Sequence, residues 1–366
     1  MPWTLPLAIL LSAATCGVVA DGEPSANDYC ECNADSLWTN VVFIVDTSND
    51  MGKEVVEDVG ATIQSVLYGL TLGTDRFETS VAVVAFAEHA QVVDYFYNLT
   101  SIDDVNAFAL PFLGGAQKAM AAAIGRAGSL LVELNSAGRA FARSVVVLVA
   151  RSFDATDSAQ IKAASQVFKD DGGVFVSVDL SVLGNAQLRS LASPGYDLPV
   201  KGDKLQAGNI VQALCDANCF CGDSLVPYVV ASNRSTPTGG CYHFASTGAV
   251  YAAASEACSK ERAVVATVED SDKAFFLMSI FVSKVTFWIG YERSESGYAW
   301  ADNTTSSYTA WAPGQPDSSV GDCVYEKRES GFNYDWYSAP CADPISTSFL
   351  YACQSRPCST GYDCTL

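Results

Sequence analysis

Histidine is nearly missing from this sequence. His89 and His243 are the only two in 366 residues. That leaves little for imidazole acid–base catalysis or for a histidine-rich zinc site. No nucleophile elbow, phosphate-binding loop or paired metal motif occurs either, so an enzyme is not expected. Positive charge is scarce: 21 Lys and Arg stand against 41 Asp and Glu, a formal net charge of −20, with no basic run. Nucleic acid and anionic membrane surfaces are thereby excluded as partners, because both are held by clustered cations. Past residue 20 no apolar run is long enough to span a bilayer, so membrane insertion is not expected.

Cysteine, in contrast, is plentiful, with thirteen residues. Residues 1–20 carry no charge, Leu5 to Ala14 is apolar apart from Ser12, and Val18-Val19-Ala20 supplies small residues before Asp21. The pattern reads as a secretory signal cleaved after Ala20, although its start lacks the usual positive charge. Cys16 leaves with the signal, and the twelve cysteines that remain are an even set, as disulfides in an exported protein require. Sequons at Asn98, Asn233 and Asn303 mark N-glycosylation and fit the same secreted, extracellular setting. Export favours disulfides over zinc thiolates in the tract of Cys215, Cys219 and Cys221. Cys30 and Cys32 are expected to pair with Cys215 and Cys219, the choice between the two arrangements being open. Cys221 then reaches Cys241 across a short hairpin.

The first half alternates strands and helices. Val41 to Val45 is a continuous β-branched and aromatic run suited to a buried parallel strand. Further strands are expected at 80–86, 91–96, 144–149 and 174–180, and helices at 53–70, 117–134, 185–192 and 208–215. Short connections between them imply an α/β doubly wound (Rossmann-like) sheet, with its site at the carboxyl ends of the strands. The strand Val41–Val45 and the loop Asp46-Thr47-Ser48-Asn49-Asp50 resemble those of a von Willebrand factor A domain. In that family the loop reads Asp-x-Ser-x-Ser and holds a divalent ion with a Thr from a second loop and an Asp from a third. Asp46 and Ser48 match, Asp50 replaces the third position, and Ala116-Gln117-Lys118-Ala119 offers no Thr. Ala150-Arg151-Ser152 stands where the third-loop Asp belongs. The resemblance therefore implies a degenerate metal loop of Asp46, Ser48 and Asp50 that is not expected to hold a divalent metal, with Arg151 expected in the ion's place opposite Asp46 or Asp50.

The second half is organised around Trp311-Ala312-Pro313-Gly314-Gln315-Pro316-Asp317. Two prolines stiffen this loop and hold Gln315 and Asp317 either side of Pro316. A cis Gln315–Pro316 bond would point both side chains to one side. Cys258 on a helix, the strand Trp288-Ile289-Gly290, the Gln315-Pro316-Asp317 tripeptide, Cys323, Trp336, Cys341 and Cys353 together resemble an α+β C-type lectin-like domain. The resemblance implies the pairs Cys258–Cys353 and Cys323–Cys341, with Cys221–Cys241 as the additional hairpin bridge of the long form. Cys358 and Cys364 are then left to pair in the tail.

In that family Gln-Pro-Asp goes with galactose-type sugars bound through calcium. The resemblance points to Gln315 and Asp317 as carbohydrate and calcium candidates; the family's acid position falls at Gly321, with Asp322 one residue on as a substitute, and Asn333 and Asp335 near Trp336 are further candidates. The family's Asn-Asp pair is replaced by Tyr337-Ser338, so too few oxygens remain for a tight calcium site. Tyr334, Tyr337 and Phe332 offer a metal-free alternative, since aromatic rings on a stiff loop suit recognition.

The expected layout is a signal over 1–20, a cysteine-containing segment over 21–37, the A-like domain over 38–218, the lectin-like domain over 219–358 and a tail over 359–366. As a whole the chain resembles the secreted two-domain C-type lectin-like proteins of nematodes. That resemblance implies an extracellular glycoprotein binding a microbial or host glycan in innate defence. The alternative is an adhesion, matrix or immune-modulating protein that binds a protein partner without metal. Oligomeric state is not legible.

Overall fold

The computed structural model describes Cys30 and residues 32–360, apart from 140–141, 201–204, 223, 231–235, 282–285, 296, 331–332, 344 and 346. The signal expected over 1–20, the sequon at Asn233, Phe332 and the Cys364 partner expected for Cys358 lie outside the described residues.

A five-residue run such as Val41 to Val45 cannot alternate between core and water, so it needs cover on both faces. It forms the middle of β1 (Thr39–Asp46), all eight residues of which are buried. Then come α1 (Lys53–Leu67), β2 (Ser80–Phe86), β3 (Ala90–Asp94), α2 (Ile102–Ala107), α3 (Met120–Leu134), β4 (Arg143–Ala150), α4 (Ser158–Asp170), β5 (Val174–Asp179), α5 (Ala186–Arg189), β6 (Asp197–Pro199) and α6 (Ala207–Asn218). The sheet order is β3-β2-β1-β4-β5-β6, parallel except at the β3 edge. Val41, Phe43 and Val45 pack with Val56, Ile63, Ile210 and Leu214 of α1 and α6. Val42 and Ile44 pack on the opposite face with Met120, Ile124 and Leu131 of α3. The sequence pattern misses α4, because only Ile161 and Ser165 of its thirteen residues are buried and its apolar stripe is thin.

The second unit comprises β7 (Val226–Pro227), β8 (Cys241–Phe244), α7 (Tyr251–Lys260), β9 (Val264–Val265), α8 (Ser271–Ile280), β10 (Thr286–Ser294), β11 (Gly297–Trp300), β12 (Cys323–Ser330), β13 (Asn333–Ala339) and β14 (Leu350–Ser355). Its sheet runs β13-β12-β10-β14-β8-β7, with β11 on β10 and β9 on β14. The late strand β14 pairs antiparallel with the early strand β8, bringing the two ends of the unit side by side. In β10, Gly290 is where the backbone of β9 comes closest: a Cβ there would lie 2.2 Å from the Val265 carbonyl oxygen. Fully buried Trp288 donates its indole N–H to the Ala249 carbonyl at 2.8 Å.

Among the described residues five disulfides brace the units, each within its own unit. Cys30 bonds to Cys219 and Cys32 to Cys215, joining the start of the described chain to the end of α6. Cys221–Cys241, Cys258–Cys353 and Cys323–Cys341 brace the second unit. The Cys258–Cys353 bond spans 95 residues. Closing a loop of that length is worth about 4–5 kcal/mol in the chain-entropy account, a large share for a unit with long irregular segments.

Candidate functional site

The Trp311–Asp317 loop is stitched to β13 by backbone bonds. Trp336 N donates to the Ala310 carbonyl at 2.7 Å, and Ala312 N to the Trp336 carbonyl at 3.1 Å. The Gln315–Pro316 peptide is cis. Gln315 Oε1 accepts from Ser338 N at 2.9 Å and from Asp317 N at 3.2 Å. Asp317 N also reaches Ser338 Oγ at 3.1 Å. Asp317 Oδ1 accepts from Ser319 N at 2.9 Å and Ser319 Oγ at 2.7 Å, bonds that hold this exposed carboxyl below its ordinary range. Asp322 Oδ1 faces the Arg293 guanidinium at 3.4 Å.

Asn333 and Asp335 do not join this group. They lie toward the start of β13, where Asp335 pairs in register with Lys327. Asp335 is three residues from Ser338, about 10 Å along the strand. An odd spacing also turns their side chains to opposite faces. Gln315, Asp317 and Asp322 thus gather at one end of the β12–β13 pair, and Asn333 and Asp335 at the other.

A calcium ion asks for roughly 6–8 oxygens. The Gln315 carbonyl is already engaged by two N–H groups, and only Asp317 and Asp322 add carboxylates beside it. Among the described residues no group of three or more His, Cys, Asp and Glu is placed to hold a metal. These oxygens fall short of the set a calcium site needs, and the tripeptide is anchored on Ser338.

Asn333 and Asp335 instead line a cavity of about 530 Å³ with Ser271, Asp272, Phe275, Tyr308, Glu329 and Tyr334. It lies between the start of α8, the segment leading into the Trp311 loop, and the far end of the β12–β13 hairpin. Glu329 is held by Lys327 Nζ at 2.8 Å and by the Tyr337 hydroxyl, which keep its carboxyl below the ordinary value. Rings, carboxylates and an amide around one cavity can stack on a flat ligand face and accept hydrogen bonds from hydroxyl or ammonium groups. Tyr308, Phe275 and Asp272 are not among the site candidates legible in the sequence, since α8 and the segment at Tyr308 are far from β13 in the chain.

The A-type rim departs from its expectation at one residue. Buried Asp46 accepts from Ser48 N at 3.0 Å on Oδ1 and from Gln117 Nε2 at 3.1 Å on Oδ2. The same Gln117 nitrogen donates to the Ser152 carbonyl at 2.8 Å. Ser152 Oγ donates to Asp50 Oδ2 at 2.8 Å. Arg151 Nη1 reaches the Met51 carbonyl at 3.4 Å, and the side chain that donates to Asp46 from across the rim is Gln117. Burial pushes the Asp46 carboxyl up. The Ser48 hydroxyl and N–H and the Gln117 amide draw it back, and neighbouring Asp50 adds a further upward push. The Ser48 hydroxyl is buried beside that carboxyl without the geometry of a hydrogen bond.

His243 Nδ1 sits 2.8 Å from the Glu261 carboxyl, with both side chains about half exposed. His89 belongs to the turn between β2 and β3.

Comparison with known proteins matches residues 40–201 to the von Willebrand factor type A domain and residues 247–354 to the Lectin C-type domain. C-type lectin domain-containing protein 160 of Caenorhabditis elegans is 22% identical over 366 residues, covering 92% of this chain and 56% of that protein. The chain therefore spans little more than half the length of that relative. The Alpha-N-acetylgalactosamine-specific lectin of Patiria pectinifera is 27% identical over 128 residues, 32% of this chain and 74% of the lectin. Among solved structures, the C-type lectin domain of murine dendritic cell inhibitory receptor 2 in complex with N-glycan is 21% identical, covers 37% of this chain and 98% of its own, and has a TM-score of 0.31.

Proposed function

We propose that this chain, a von Willebrand factor type A domain followed by a C-type lectin domain, is a secreted extracellular glycan-binding protein whose lectin-like half takes its ligand without calcium. Both domain families are non-catalytic binding modules, which agrees with the scarcity of histidine and the lack of a nucleophile motif. The observation that carries the reading is the cavity of about 530 Å³ lined by Tyr308, Tyr334, Phe275, Asn333, Asp335 and Asp272. A sugar face stacks on a tyrosine ring while carboxylate and amide groups bond its hydroxyls, so recognition needs no metal there. Likeness to a lectin whose printed name specifies N-acetylgalactosamine supports a glycan of amino-sugar type.

Glycan-array binding by the full chain, with and without a chelator, tests this. Binding should survive chelation, fall at least about tenfold in Tyr334→Ala, a loss of about 1.4 kcal/mol, and persist in Asp317→Asn. Binding that disappears on chelation and in Asp317→Asn would return the site to the Gln315–Asp322 end. Absence of any glycan signal would transfer the reading to an extracellular protein partner.

A further inference from the structure

The rim of the A-type domain carries an inference that does not depend on the lectin-like reading. We propose that the Gln117 carboxamide is a built-in substitute for a divalent cation, joining the three loops at the carboxyl ends of the strands so that this face keeps one arrangement whatever metal is in solution. A cation at such a rim links loops by accepting oxygens from each. Here one NH₂ group does so with two directed bonds, to Asp46 Oδ2 of the first loop and to the Ser152 carbonyl of the third. Gln117 is itself the contribution of the second loop. The orientation of its amide follows from its neighbours: both are acceptors, and reversal would set the amide oxygen against a carboxylate and a carbonyl.

The surrounding bonds reinforce the joint. Asn49 N donates to the Gly115 carbonyl and Gly114 N to the Thr47 carbonyl, each at 3.0 Å, fastening the second loop to the first. Gly114 and Gly115 have φ of 66° and 76°. These are left-handed values that glycine takes without strain, and the turn they make leads the chain to Gln117. Ser152 Oγ on Asp50 closes the outer side. Both Asp46 oxygens, the Ser152 carbonyl and Asp50 Oδ2 are thus committed to N–H and O–H donors, which leaves the buried Ser48 hydroxyl as the uncommitted oxygen of the rim. Gln117 presents a donor where a metal ligand would present an acceptor. An ion entering would have to displace that nitrogen from a 7% exposed side chain.

The test uses the full chain and follows the melting transition of the A-type domain. In wild type this transition should not respond to millimolar Mn²⁺ or to chelator, and paramagnetic resonance should detect no bound Mn²⁺ that Asp46→Asn removes. Gln117→Met keeps the bulk and removes the donors. It should lower the transition by roughly 3–8 °C, from the loss of hydrogen bonds to a buried carboxylate, and Mn²⁺ should not restore it. Gln117→Glu should fall similarly at neutral pH with chelator present and recover with Mn²⁺, because two facing carboxylates then hold an ion. Should neither variant fold, the wild-type Mn²⁺ titration still decides. Mn²⁺ bound by wild type and lost in Asp46→Asn, or a Gln117→Met protein that melts like wild type, would overturn the proposal.

Discussion

Glu326 lies on β12 opposite Trp336 and is 1% exposed. Neither carboxyl oxygen has a hydrogen-bond partner among the described residues. Burial pushes the group up to about 8, while the neighbouring Trp336 indole draws it back only in part. Its folded value thus stands above the ordinary 4.5, so the folded state holds the proton more tightly than the unfolded chain does. That contribution is complete below about pH 4.5 and is lost as pH rises to about 8. Chemical denaturation of the lectin-like domain should therefore show stability falling across this window. Glu326→Gln should flatten the profile and raise stability at pH 7 by roughly 2–4 kcal/mol. A profile unchanged in Glu326→Gln would remove Glu326 as the cause. Residue identities alone did not reveal this site, because a Glu in an alternating strand reads as solvent-facing. Gln117 was passed over for a similar reason: a missing Thr was legible, but not that an amide had entered the same place.

At the level of elements, β10 shows how a strand can be limited by its neighbour. Gly290 N donates to the Ala266 carbonyl at 2.8 Å, and its own carbonyl accepts from Ala301 N at 2.7 Å. With the Val265 carbonyl so near, Gly290→Ala forces two backbones apart. It should destabilise the lectin-like domain by at least about 2 kcal/mol, while the A-type transition stays put. Equal shifts of both transitions would mean that Gly290 acts through more than its own sheet. The Trp288-Ile289-Gly290 strand was legible from its residue types, and a glycine between large apolar residues marks close approach of another backbone. The hairpin of β12 and β13 was less so: Lys327, Arg328 and Glu329 obscure its alternation. Its register, which decides that Asp335 faces Lys327 and not Gln315, is settled only by strand pairing.

On the scale of the whole molecule, two disulfides close almost the same loop. Cys30–Cys219 spans 189 residues and Cys32–Cys215 spans 183. Loop-closure entropy depends only logarithmically on length, so either bond alone restricts the unfolded chain nearly as much as both. Cys32→Ala with Cys215→Ala should therefore cost the A-type domain under about 2 kcal/mol. Removal of both bonds should cost roughly 5 kcal/mol, read as the fall in denaturation midpoint. A first removal as costly as the second would show that the bonds act through packing around α6.

Two recognition units in order, export-type cysteines, a buried parallel strand at Val41–Val45 and a stiff loop at Gln315–Asp317 follow from residue types at close spacing, and the sequence by itself determined them. Which oxygens are left to meet a ligand was decided by tertiary structure. Gln315 is occupied by Ser338, and Asp46 by Gln117, 71 residues away in the chain. A hydrogen bond depends on where folding places donor and acceptor, and local sequence carries no record of that distance.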